Sequence, residues 1–125
     1  MEEAVALQLA EAKELTAKAG EAAELLTALA NARRLAILCE LIEGERSVGE
    51  LVAAVGLTQS ALSQHLAKLR ATGIVATRRD AQTIFYRLAS VAAGSVLATL
   101  ATIYCGRRPR KTKNRNQNSK PKRMS

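Results

Sequence analysis

The chain has 125 residues, room for one compact domain with a modest core. Aromatic residues make up 2% and Trp is absent, so Ala, Leu and Val must fill that core, which favours closely packed helices over large aromatic-lined cavities. The net charge is +8; no apolar run is long enough for a bilayer span, and the acidic start, MEEAVALQLAEAKE, argues against a secretory or transit signal and points to a reducing cytoplasm.

Residues 3–18 are Ala, Leu and Glu at helical spacing and predict a first helix, interrupted by Gly20; residues 21–29 predict a second. NARRLAILCELIEGE follows, with Asn31 as N-cap and Gly44 as stop. Its apolar residues Leu35, Leu38, Cys39 and Ile42 fall on one helical face and are expected to turn inward. Ser47 and Glu50 have capping-box spacing ahead of VGELVAAVG, which Gly56 breaks. Thr58 caps the next helix, QSALSQHLAKLRATG, which ends at Gly73. IVATRR and QTIFYRL are β-branched and aromatic, and read as a two-stranded hairpin turning at Asp80 and Ala81. Residues 89–104 predict a last, buried helix, stopped by Gly106 and Pro109. Residues 106–125 hold nine Lys/Arg and no acid and read as a basic disordered tail, set apart from a domain at 1–105. Within that domain residues 1–50 carry ten acids and five bases, whereas residues 51–105 carry one acid and five bases.

Helix, short turn, polar helix and basic hairpin is the layout of a winged helix-turn-helix, in a mainly α fold with a small β-hairpin. The second helix of such a unit enters the major groove, where hydrogen-bonding side chains read base edges. Here Ala61, Leu62, Leu66 and Leu69 can turn inward, and Gln59, Ser60, Ser63, Gln64, His65 and Lys68 fall largely on other faces. Arg78, Arg79 and Arg87 around the hairpin suit phosphates or the minor groove. His65, the chain's one histidine, has no second His, no nearby Cys and no acid–base partner pattern, so a metal or catalytic role is not expected. The bland reading of His65 is a partly exposed helix residue; its neighbours favour a DNA contact. Taken singly, Cys39 reads as a small buried apolar residue and Cys105 as an idle thiol.

The stretch from LANARRLAILCELIEGERSVGEL through LTQSALSQHLAKLRATG to IVATRRDAQTIFYRL resembles the ArsR family of bacterial winged-helix repressors over about residues 28–105. The Leu-x-x-x-x-Arg opening, the SQHL-x-x-LR recognition helix and the RR…YRL wing occur in order. The resemblance implies a homodimer on an inverted-repeat operator, with the first and last helices at the dimer interface, and release from DNA when an inducer binds. It implies DNA contacts from Thr58, Gln59, Ser60, Ser63, Gln64, His65, Lys68, Arg78, Arg79 and Arg87. Two metal sites familiar in the family are missing: Ser47 and Gly49 stand where one site has thiols, and the last helix has no His, Asp or Glu for the other. No metal and no cofactor is expected. Cys39 and Cys105 instead resemble the dithiol branch that responds to sulfide and persulfide (the BigR and SqrR type), in which reactive sulfur bridges two thiols and DNA affinity falls.

Heme, peroxide and thiophilic metal stay open as inducers. Two other classes are weighed. A sequence-independent architectural DNA binder explains the tail but does not need a polar recognition helix or paired thiols. A sulfur-transfer enzyme is disfavoured because no anion-cradling loop surrounds either cysteine, so no enzyme activity is expected.

Overall fold

Six helices and three short strands follow one another in the computed structural model, which describes residues 8–106. They are α1 (Leu9–Ala17), α2 (Ala19–Leu29), α3 (Ala32–Leu41), β1 (Arg46–Ser47), α4 (Val48–Val55), α5 (Gln59–Ala71), β2 (Val75–Asp80), β3 (Thr83–Leu88) and α6 (Val91–Cys105). The start of the expected first helix and the basic tail beyond Gly106 lie outside the described residues. The chain divides after Ser90: α1 to β3 form one compact unit, and α6 belongs to another.

Local chemistry sets most boundaries. Asn31 Oδ1 accepts hydrogen bonds from the backbone N–H of Arg33 (2.9 Å) and Arg34 (3.1 Å), as an N-cap should. Ser47 and Glu50 form a reciprocal capping box: Ser47 Oγ accepts from Glu50 N–H at 3.1 Å, and Glu50 Oε1 accepts from Ser47 N–H at 2.8 Å. The break between the first two helices is at Lys18, not Gly20; glycine is tolerated in the first turn of α2, where few intrahelical bonds depend on it. Gly73 closes α5 with φ +78°: its N–H donates to Arg70 C=O at 3.0 Å, and Ile74 N–H donates to Leu69 C=O at 2.9 Å. That is a Schellman motif, and it delivers the buried Ile74 onto the core beside Leu69.

The core of the first unit is aliphatic. Ile37 and Leu38 of α3, Leu51 of α4, Leu62, Leu66 and Leu69 of α5, and Ile74 are all essentially inaccessible. This corrects the expected inward face of α3. Ile37, Leu38 and Leu41 are buried, Cys39 is exposed and Ile42 is 53% exposed. The helix carries two overlapping apolar stripes; Ile37 and Leu41, off the expected face, complete the one that packs.

The hairpin gains a partner that the sequence did not signal. Two residues of β1 pair with β3, so the sheet has three antiparallel strands in the order β1-β3-β2. A two-residue strand leaves no periodic trace. Asp80, expected in the turn, ends β2 opposite Thr83, and the turn is Ala81-Gln82, with Ala81 at φ 58°. The last helix also departs from expectation. Only Ala93 and Leu97 of α6 are buried, whereas Val91, Ile103 and Tyr104 are 87%, 62% and 81% exposed. Its apolar residues run all round it, so most of them are left exposed.

Candidate nucleic-acid interface

The α4–turn–α5 unit presents one helix outward. Gly56, at φ 73°, ends α4 in the left-handed conformation and turns the chain sharply. Thr58 Oγ1 accepts from Ala61 N–H at 3.1 Å, so Thr58 is the N-cap of α5. Leu62, Leu66 and Leu69 anchor one side of α5, and Gln59, Ser60, Ser63, Gln64 and Lys68 are exposed on the others. The polar side chains expected to face a partner therefore stand on solvent-facing surface of a firmly seated helix. His65 differs from them. It is half-buried, and burial holds its pKa below the ordinary 6.5, with the charges of Arg34, Arg33 and Lys68 adding to the effect. It sits on the flank of α5 toward the start of α3.

The wing sorts its arginines by face. Alternation along paired strands places Val75, Thr77 and Arg79 with Leu88, Tyr86 and Ile84. Ala76, Arg78 and Asp80 share the other face with Arg87, Phe85 and Thr83. On the first face Tyr86 lines a cleft with Ser63, Ala67, Arg70 and Ala71 of α5, so this face adjoins the recognition helix. Arg79 is thus on the recognition-helix side of the wing, and Arg78 and Arg87 are on its back. Arg78 is also engaged: its Nε lies 2.9 Å from both carboxylate oxygens of Glu45, and its guanidinium sits 4.7 Å from the centre of the Phe85 ring. Hydrogen bonding to Arg78, helped by the charges of Arg78 and Arg87, holds the Glu45 carboxyl below its ordinary value against a smaller opposing effect of burial.

Three residues at this surface were missed by sequence reading. Arg70 and Tyr86 enter only because the sheet folds back onto α5. Glu45 enters because it lies 33 positions from its partner Arg78. Charge at Arg70 was a visible signal; the other two had none.

The two cysteines occupy different units. Cys39 lies on the outer stripe of α3 with its side chain exposed, which overturns its reading as a small buried residue. Cys105 is the last residue of α6 and is exposed. Among the described residues no group of three or more His, Cys, Asp or Glu side chains is arranged to hold a metal ion. Ser47 is the cap of α4. No helix among the described residues is long and apolar enough to cross a membrane.

A helix-turn-helix anchored by Leu51, Leu62, Leu66 and Leu69, an outward polar second helix and a three-stranded wing folded against it define a winged helix-turn-helix transcriptional regulator. Residues 31–77 match the family described as "Bacterial regulatory protein, arsR family". The chain is 50% identical over 93 residues to the transcriptional activator HlyU of Vibrio cholerae, spanning 74% of this chain and 86% of that protein. The crystal structure of the transcriptional repressor BigR from Xylella fastidiosa superposes with a TM-score of 0.72 at 45% identity, over 74% of this chain and 95% of that one. A homodimeric winged helix-turn-helix DNA-binding domain from Mycobacterium bovis superposes with a TM-score of 0.64 at 33% identity, over 70% and 82% of the two chains. The chain belongs to the ArsR family of transcriptional regulators. These relatives are regulators, not enzymes.

Proposed function

We propose that two copies of this chain bind an inverted-repeat operator as a repressor, and that reactive sulfur species release them by bridging Cys39 and Cys105. The observation that carries the DNA reading is the solvent-facing polar side of α5, continuous with the Arg79 face of the wing. Gln59, Ser60, Ser63 and Gln64 read base edges; Lys68 and Arg79 meet phosphates. Thr58 contributes by capping α5, and its exposed position allows a phosphate contact as well. The bare apolar surface of α6, together with an α1 that has no buried residue, favours a helical dimer interface. Likeness to a homodimeric relative supports the same assembly.

The sulfur reading is supported by the exposure of both thiols and by the likeness to BigR. A bridge joins α3, which packs beneath the recognition helix, to α6, so it changes the spacing of the two recognition helices that a palindrome detects. The bridge balances with two equivalents of a persulfide: the first passes its outer sulfur to one cysteine and leaves as a thiol, and the second accepts the two electrons of trisulfide formation and leaves as a thiol and sulfide. The test is an operator titration of the reduced protein and of protein treated separately with persulfide, peroxide and metal ions, with mass spectrometry alongside. Persulfide should add sulfur between the cysteines and weaken binding, and Cys39→Ser or Cys105→Ser should each abolish the response. A single mutant that responds to persulfide like the parent would refute the two-thiol bridge and leave one cysteine, or a different ligand, as the sensor.

A further inference from the structure

Across the back of the wing runs a side-chain tie that links all three strands. Because the sheet order is β1-β3-β2, the two outer strands are separated by β3. Arg78 of β2 lies over the ring of Phe85 on β3, 4.7 Å from its centre. From there it reaches Glu45, the residue immediately before β1. Nε is 2.9 Å from each carboxylate oxygen, and a terminal guanidinium nitrogen is 2.9 Å from Oε1. The row is in register, since both Ser47 and Arg78 pair with Phe85. Ser47 is also the N-cap of α4. Glu45 therefore stands two residues ahead of the N-cap of the helix-turn-helix's first helix while it grips the far strand of the wing.

We propose that Glu45 is a positioning residue for DNA binding: through Arg78, stacked on Phe85, it fixes the wing against the start of α4 and so sets where Arg79 stands relative to α5. The inference rests on the DNA-reading role given to the wing above. The chemistry suits orientation more than stability. A planar guanidinium that meets a carboxylate as a fork and lies flat on an aromatic ring is defined in direction as well as distance. The pair is partly solvated, with side-chain exposures of 51% for Arg78 and 31% for Glu45, so it adds little to the folding free energy. Its leverage comes from where it is placed. β1 contributes only two paired residues, so backbone bonding alone ties the hairpin to the helix-turn-helix over a short edge. The sequence assigned Arg78 to DNA with Arg79 and Arg87; the pair with Glu45 assigns it to holding the wing.

The test is an operator titration over a range of salt with the full chain and four variants: Glu45→Gln, Arg78→Lys, Arg79→Gln and Glu45→Gln/Arg79→Gln. Arg79→Gln should lower the slope of log affinity against log salt by about 0.9, the loss of one phosphate contact. Glu45→Gln and Arg78→Lys should each weaken operator binding roughly two- to fivefold, the scale of one exposed ion pair. The first removes one negative charge and the second leaves the charge unchanged, so a shared loss follows geometry, not charge. In the Glu45→Gln background Arg79→Gln should remove less of the slope than in the parent, although Glu45 and Arg79 lie on opposite faces of the wing. If Glu45→Gln binds tighter and Arg78→Lys binds like the parent, Arg78 is itself a phosphate contact that Glu45 competes for, and the positioning role is wrong. Full additivity of Glu45→Gln and Arg79→Gln overturns it too. An unchanged slope for Arg79→Gln in the parent instead sinks the wing reading itself, and this inference with it.

Discussion

His65 lies on the flank of α5 where three cations already crowd it, and two opposite pH dependences follow from that placement. Burial and the charges of Arg34, Arg33 and Lys68 hold its pKa in the folded chain below the ordinary 6.5. The unfolded chain then binds more protons, so stability is full above 6.5 and falls as pH drops from there toward the folded value. The proposed DNA contact would reverse the sign: a phosphate beside His65 would favour the imidazolium and raise its pKa, so binding would take up a proton. Operator affinity should rise as pH is lowered from about 8 to about 6, and His65→Gln should flatten that rise. A parent profile that matches the mutant's would remove His65 from the interface. For Ser63 and Gln64, both exposed on α5, the expectation is selectivity. Replacing either with Ala should cost about 1–3 kcal/mol on the cognate operator and little on random DNA, as base-edge readout requires. Equal losses on the two DNAs would show that α5 does not read sequence.

At the scale of single elements, two turns make opposite use of the left-handed region. Gly73 needs φ +78° to complete the Schellman motif, so Gly73→Ala should lower stability by about 1–2 kcal/mol, measured by denaturant titration. Ala81 sits at φ 58° at the first central position of the two-residue wing turn, where glycine is preferred. Ala81→Gly should therefore stabilise the chain, by about 0.5–1 kcal/mol. A loss of stability would mean that the turn is held by something other than its backbone preference. These turns also mark what could be read from the chain. Asn31, the Ser47–Glu50 box, Thr58 and Gly73 act through neighbours a few positions away, so their letters place the helices directly. The inward face of α3 could not be chosen the same way, because two apolar stripes overlap on it and only packing against α4 and α5 decides between them. Long-range partners were invisible for the same reason: nothing near Glu45 announces Arg78, and nothing near Tyr86 announces Arg70.

For the whole molecule, the uneven charge predicts that affinity and selectivity come from different places. The nine Lys/Arg of residues 106–125 face no acid in that segment, whereas residues 1–50 are net acidic. Deleting residues 107–125 should lower the salt slope of binding to any duplex and leave the ratio of operator to random affinity unchanged. An unaltered slope would show that the tail does not touch DNA.

The first helix carries a separate consequence. α1 has nine residues and no buried one, with Leu9 and Leu15 exposed at 72% and 51%. A helix that short, with no buried residue, is marginal in water and should exchange its amide hydrogens almost as fast as an unstructured peptide. Protection of residues 9–17 against deuterium then becomes a gauge of whatever covers them. If a second copy does so, that protection will climb with protein concentration while the amides of Leu62, Leu66 and Leu69 stay slow throughout. The helix that contributes least to the fold of one chain would then report, residue by residue, how many chains are present.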